Sequence, residues 1–215
     1  MSAARAHGVL SANRATGERL YLHDGFLPPQ QCETILAELE FAFWQRSKVY
    51  VDAGGGEYQH LYSDKRASMT TSERWFSTPL RRAIANIDRR IARVLPSMLT
   101  HREEWQATRY TKGGRFGYHS DSGYFAHEAA GERTHTIMIY LDTPRRGGVT
   151  RFPRLGIDVK CQAGRVAIWS NLMADGRSDP DMVHAGAPVT AGRKTILVSW
   201  IRERACSKSN WRAKT

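Results

Sequence analysis

Apolar residues recur along this chain with two different periods, and the change of period divides it. From Pro29 the set Cys32, Ile35, Leu36, Leu39 and Phe43 returns at helical spacing, which predicts a helix over 29–43 with one core-facing stripe. Proline is tolerated in the first turn, so Pro28 and Pro29 suit its start. A second helix is predicted over 79–95, with Thr78 as N-cap and Pro79 at the first helical position. There Leu80, Ile84, Ile87, Ile91 and Leu95 share one side, the arginines fall largely on the other, and Pro96 stops the run. Leu20 to Leu22, Trp44 to Asp52 and, more weakly, Arg66 to Thr71 read as strands, with a loop at Gly54 to Gly56. From Trp105 onward the period shortens. Strand-like runs over 105–110, 116–119, 134–141, 148–152, 157–161, 165–169 and 194–201 are punctuated by Gly and Pro, which argues for a sandwich or jelly roll. Residues 1–18 hold no sustained period and read as a loose N-terminal arm. No repeat or linker interrupts the rest. One domain is expected over 19–204, with helical and strand support in 19–104 and the β core in 105–204, followed by a basic tail over 205–215.

Composition narrows this picture. The 215 residues are 41% hydrophobic and 25% charged, which suits one sizeable core. No stretch approaches the length of a membrane span, and no apolar run follows the N-terminus as a signal peptide would require. Cys32, Cys161 and Cys206 fit neither a disulfide framework nor a paired-cysteine zinc site. A soluble protein of a reducing cytoplasm is therefore expected, with no membrane partner and an open oligomeric state. The formal net charge of +11 favours an anionic partner. The excess sits in Arg81, Arg82, Arg89, Arg90 and Arg93 and in the tail, without the interleaved aromatics of a single-strand binder. A solvated basic face is the simplest reading.

The chemistry begins at His119-Ser120-Asp121. On an extended segment residues i and i+2 point to the same side, so the imidazole and carboxylate can grip one metal. Such a pair arises roughly once by chance in this composition, and His101-Arg102-Glu103 is a second. A third candidate ligand, His184, lies 65 residues downstream beside another short strand. Two His and one carboxylate form the facial triad of non-haem Fe(II) oxygenases, with open positions for a cosubstrate and O2. Zinc is the rival metal, but no HExxH-type arrangement supplies the base that a zinc-bound water needs. Further on, alternation along 192–200 places Lys194 on one face with Ile196, Val198 and Trp200. A lysine among apolar neighbours is costly unless it meets an anion, so Lys194 is a candidate to hold the distal carboxylate of a small dicarboxylic ligand.

These residues lie within a longer ordered pattern. Arg109-Tyr110, Gly113-Gly114 and His119-Ser120-Asp121 are followed by TIMIYLD at 136–142, GGVTRFP at 147–153 and GRVAIW at 164–169. His184-Ala185-Gly186-Ala187-Pro188-Val189 then leads to Gly192 and Lys194. Together they resemble the Fe(II)/2-oxoglutarate-dependent dioxygenase superfamily, most closely its prolyl 4-hydroxylase branch. The resemblance implies a double-stranded β-helix, the cupin-like jelly roll, with both helices packed outside its major sheet. It implies iron held by His119, Asp121 and His184, and 2-oxoglutarate anchored by Lys194 with Tyr110 as hydroxyl donor and Thr136 and Tyr140 as lesser contacts. Fe(II), 2-oxoglutarate and O2 are the implied cofactors, and ascorbate a stimulant. The implied reaction hydroxylates an unactivated C–H bond, or desaturates it, releasing succinate and CO2. Because Asp121 is present, halogenation is disfavoured: halogenating relatives lack the carboxylate there.

The substrate stays open at this point, between a peptidyl residue such as proline and a free amino acid or natural-product intermediate. Arg115 and Tyr124, flanking the ligand pair, are candidate substrate contacts. Trp169 and Trp200 read as core aromatics, and Gly54 to Gly56 and Asn171 to Asp181 as connections that could also cover the metal. The charge would suit a nucleic-acid dealkylase, but that branch has two arginines six residues apart after the distal histidine, whereas Arg193 is followed at that distance by Ser199 and Lys194 by Trp200. A non-catalytic binding module on the same fold is the remaining alternative. The histidines at 7, 23, 60, 101, 127 and 135 read as structural or exposed.

Overall fold

In a computed structural model of the chain, residues 19–54 and 57–206 are described; the arm over 1–18, Gly55, Gly56 and the tail from 207 lie outside them. Among the described residues sixteen strands and three α-helices follow one another. The strands are β1 (Leu20–His23), β2 (Gln45–Arg46), β3 (Val49–Gly54), β4 (Glu57–Leu61), β5 (Arg66–Ala67), β6 (Met69–Ser72), β7 (Gln106–Tyr110) and β8 (Arg115–His119). They continue with β9 (Arg133–Tyr140), β10 (Arg146–Gly147), β11 (Thr150–Phe152), β12 (Ile157–Val159), β13 (Val166–Ser170), β14 (His184–Gly186), β15 (Val189–Ala191) and β16 (Lys194–Arg202). The helices are α1 (Pro29–Leu39), α2 (Thr78–Ile91) and α3 (Met98–His101).

Two antiparallel sheets form the jelly roll. The major one runs β1-β13-β9-β16-β7-β6-β2 and the minor one β12-β11-β14-β8-β5. Period-2 alternation explains how one sheet serves two layers. Ile137, Ile139, Val166, Ile168, Leu197 and Ile201 of the major sheet join Cys32, Ile35 and Leu39 of α1 and Leu80, Ile84, Ile87 and Ile91 of α2 in one buried cluster. Their alternates Met138, Tyr140, Ala167, Trp169 and Ile196 turn inward and meet Phe152, Val159 and Val189 in a second. Both helices thus lie outside the major sheet, and Arg81, Arg82, Arg89 and Arg93 of the α2 region are exposed. Asp88 interrupts the apolar stripe of α2. It accepts bonds from Trp105 Nε1 and Arg102 Nε, both at 2.8 Å, tying the helix to the segment that enters β7.

Several boundaries differ from the pattern-based expectation. α1 stops at Leu39 rather than 43, because the Trp44 indole N–H donates to the Leu39 carbonyl at 2.9 Å and closes the last turn. Phe43 therefore leaves the core stripe and is exposed, touching Trp75. The α2 N-cap is Ser77, not Thr78. Its extended backbone lets Oγ accept from Leu80 N–H at 3.1 Å, leaving Thr78 and Pro79 inside the first turn. The run 44–52 splits into β2 of the major sheet and β3 of a separate hairpin, and 66–71 splits at Ser68 into β5 and β6 of opposite sheets. Among the described residues no helix is long and apolar enough to cross a membrane.

Candidate active site

The site lies between the two sheets. β8 and β14 pair so that His119 stands opposite His184 in register, and their rings are 4.3 Å apart between centroids. Asp121 follows two residues after the end of β8. Its Oδ1 is 3.8 Å from His119 Nε2, and its Oδ2 is 3.7 Å from His184 Nε2. Among the described residues these three are the group of potential metal ligands whose donor atoms all lie within 4.8 Å of one another. The other His-x-carboxylate pair has dispersed: Glu103 is buried in bonds to Arg133 and Arg202, and the His101 Nδ1 contact is Thr100.

Both imidazoles are oriented as candidate ligands. Each Nδ1 lies 2.9 Å from a backbone carbonyl, of Gly117 for His119 and of Met182 for His184. A carbonyl only accepts, so each Nδ1 carries the proton and each Nε2 presents a lone pair to the centre. Burial, reinforced by His184, lowers the His119 pKa to about 3, which keeps that ring neutral. Burial alone would raise the Asp121 carboxyl; electrostatic interaction with His184, His119 and Arg133 and the hydrogen bond from the Thr136 hydroxyl outweigh it and hold it below its ordinary value. Phe116 stacks on His119 at 3.7 Å, and Trp169 and Phe152 flank His184 at 4.9 and 5.3 Å. Trp169 is thus core packing that also braces a candidate ligand.

Lys194 opens into the same cavity as the triad, together with Ile196, Val198 and Trp200 of β16, Tyr110, Phe116, Thr150 and Arg66. The alternation expected for β16 is therefore the alternation of one cavity wall. Lys194 is 2% exposed. Its Nζ donates to the Gly148 carbonyl at 2.8 Å and approaches Thr150 Oγ1 at 3.5 Å. Among the described residues no carboxylate pairs with it. Burial lowers its pKa to about 8, against the opposing pull of Cys161 and Asp142. The Gly147–Gly148 turn makes this possible: both residues have positive φ, and a side chain at Gly147 would collide with the Pro188 carbonyl.

The remaining expected residues are placed differently. Tyr110 lines the cavity and faces Lys194 in the β7–β16 register. Tyr140 is not among the cavity-lining residues, but Lys194 Nζ lies 5.4 Å over its ring and its hydroxyl is 2.7 Å from Thr150 Oγ1, so it braces Lys194 and a neighbour of it. Thr136 bonds Asp121. Arg115 is exposed and donates to the Asp64 carbonyl, and Tyr124 packs beside Tyr50 and Phe125; neither lines the cavity. Conversely, Arg66 does, with its guanidinium 4.5 Å over Phe116 and bonded to Ser68 Oγ and the Lys48 carbonyl. A lone arginine on a two-residue strand carries no sequence signal for an inward position. Trp200 is likewise a wall residue, held under the Arg133 guanidinium at 3.7 Å, which Glu103 binds with both oxygens at 2.7 Å.

The residues fit an iron and 2-oxoglutarate site on this structure's own terms. A nitrogen and carboxylate donor set and a buried ammonium lacking a counter-anion line the same cavity. A divalent cation at the donor set, with one dicarboxylate between it and the ammonium, would satisfy both.

Comparison with known proteins agrees. A family model described as the 2OG-Fe(II) oxygenase superfamily matches residues 105–202. Prolyl 4-hydroxylase 1 of Arabidopsis thaliana is 30% identical over 205 residues, covering 87% of this chain and 70% of that protein. Probable prolyl 4-hydroxylase 6 of the same plant is 26% identical over 210 residues, covering 88% and 71%. Among solved structures, the viral collagen prolyl hydroxylase of Paramecium bursaria Chlorella virus-1, in its 2OG complex, superposes with a TM-score of 0.65 at 25% identity, covering 86% of this chain and 97% of that one.

Proposed function

The chain belongs to the 2OG-Fe(II) oxygenase superfamily, in its prolyl 4-hydroxylase-like branch, and from that premise we propose that it hydroxylates a prolyl residue within a peptide. It is a dioxygenase with Fe(II), 2-oxoglutarate and O2 as cofactors. The observation that carries the reading is the single cavity shared by His119, Asp121, His184 and Lys194. The peptidyl substrate is supported by the prolyl 4-hydroxylases matched over most of the chain, one of them a collagen prolyl hydroxylase. The apolar wall of Phe116, Met138 and Trp200 suits a pyrrolidine ring.

In this reading His119, Asp121 and His184 hold the iron, and Lys194 binds the distal carboxylate of 2-oxoglutarate with Tyr110 alongside. When bound, the two cofactors couple oxidation of 2-oxoglutarate by O2, giving succinate and CO2, to insertion of one oxygen atom into a C–H bond. The protein's own part is positional. The Nδ1 bonds to Gly117 and Met182 keep both imidazoles in the ligating tautomer. Phe116, Phe152 and Trp169 shield the ligands from bulk water.

Incubation with Fe(II), 2-oxoglutarate, O2 and a proline-rich repeat peptide should add the mass of one oxygen atom per modified proline, with an equal yield of succinate. Turnover of free proline with none of the peptide would overturn the assignment.

A pH dependence follows from Lys194. The anion needs the ammonium form, whose pKa in the free protein is about 8. Apparent affinity for 2-oxoglutarate should hold below pH 8 and fall about tenfold per unit above it, with net proton uptake on binding. Calorimetry in two buffers of different ionisation enthalpy measures that uptake. The same depression has a stability consequence. Between about 8 and the unfolded value near 10.5 the unfolded chain binds the extra proton, so this group's contribution to stability rises with pH across that window.

A further inference from the structure

Thr136 and Asn171 are both buried, at 0% and 2% exposure, and together they form a directed chain of hydrogen bonds ending on the metal-site carboxylate. Thr136 Oγ1 lies 2.7 Å from Asp121 Oδ2 and 2.9 Å from Asn171 Nδ2. The hydroxyl has a single proton, although the Asn171 Oδ1 atom is also within 3.2 Å. An ionised carboxylate only accepts, and an amide NH2 only donates. The shorter, charge-assisted bond takes the hydroxyl proton, and the amide supplies the bond that the hydroxyl oxygen accepts. The order is therefore Asn171 amide to Thr136 hydroxyl to Asp121.

The head of this chain is clamped. Asn171 follows directly on β13, its backbone N–H donates to the Thr134 carbonyl at 2.8 Å, and its own carbonyl accepts from Asp179 N–H at 2.9 Å and Ser122 Oγ at 3.1 Å. The terminal torsion of an aspartate is broad and two-fold, so its carboxylate plane is not set by the rotamer. Asp121 lies beyond the end of β8, where no ladder bond fixes its neighbours. On the reading of Asp121 as an iron ligand, we propose that Asn171, acting through Thr136, is the positioning residue that fixes the Asp121 carboxylate for metal binding, and that Thr136 serves this carboxylate rather than 2-oxoglutarate.

Thr136→Val removes the hydroxyl at constant shape. Anaerobic titration should show Fe(II) affinity lowered about 10–100-fold, the usual cost of losing a partner behind a ligand, with an altered visible spectrum of the Co(II)-substituted protein. The KM for 2-oxoglutarate at saturating iron stays at its wild-type value. Thr136→Ser, which keeps the hydroxyl, restores iron affinity, and Asn171→Ala shifts it in the same direction as Thr136→Val. Wild-type iron affinity in Thr136→Val, or a loss confined to the 2-oxoglutarate KM, overturns the proposal. If that variant does not fold, Asn171→Ala decides by the same measurements. Asp121→Ala separates the two levels of the argument. If it retains iron, the ligand assignment itself fails; if it loses iron while Thr136→Val and Asn171→Ala do not, only the positioning chain fails.

Discussion

Alanine at Asp121 is expected to abolish both iron binding and turnover while the protein stays folded. Removing the carboxylate leaves two neutral imidazoles on facing strands, which offer a divalent cation two donors and no charge. Loss of a partner merely hydrogen-bonded to a ligand already costs about 10–100-fold in affinity or activity, so loss of the ligand should exceed about 100-fold in both. The fold should survive because β8 and β14 are held by their own ladder and by the packing of Phe116, Phe152 and Trp169 around the histidines. The weak visible charge-transfer band that 2-oxoglutarate chelated to ferrous iron produces reports the site directly. It should be present in the wild type under anaerobic conditions and absent in Asp121→Ala, with thermal unfolding cooperative in both. A variant that keeps the band and the turnover would remove Asp121 from the ligand set.

At Lys194 the effects on binding and on stability should have different signs. Lys194→Met keeps the length and apolar stem of the side chain but deletes a buried charge whose bonded partners are the Gly148 carbonyl and, more loosely, Thr150. On the proposed reading the ammonium of the wild type meets a carboxylate of 2-oxoglutarate; in the variant that carboxylate would enter the same closed space unpaired. Breaking a buried ion pair from one side costs about 3–5 kcal/mol, or about 150- to 5000-fold in 2-oxoglutarate affinity. Without cosubstrate the balance reverses. The wild type carries the desolvated ammonium, as its pKa near 8 reflects, and the methionine does not, so the melting temperature of the free variant should not fall. Isothermal titration with 2-oxoglutarate and a thermal melt of the free protein test the two halves. Unchanged affinity would exclude Lys194 as the anion anchor, and a large drop in melting temperature would show that Lys194 is structural.

That opposition also shows why this part of the site is legible in the order of residues alone. A lysine alternating with Ile196, Val198 and Trp200 contradicts the ordinary preference for an apolar strand face, and such contradictions concentrate where function is held. The same holds for the paired glycines at 147 and 148, whose positive φ values serve a turn that aims a carbonyl at Lys194. Arg66 offers no comparable contradiction. Its strand is two residues long, and an arginine there is ordinary until β5 pairs with β8 and brings it over Phe116.

The local periods are legible in the order of residues: the stripe of α2, the alternation of β9 and β16, the His119 and Asp121 pair, and an ordered set of motifs specific enough to indicate the jelly roll and its cofactors. Each of these depends on residues within a few positions of one another, or on their order, and both are written in the chain. Long-range pairing, by contrast, makes 66–71 cross from one sheet to the other at Ser68, sets His184 against His119 across a strand pair, and lets Thr136 reach Asp121 while Arg115 bonds the Asp64 carbonyl outside the cavity. Alternation states that neighbouring side chains take opposite faces, but not which sheet a strand joins. That choice is made by pairing between segments far apart in sequence, and the polar contacts of the site follow from the pairing.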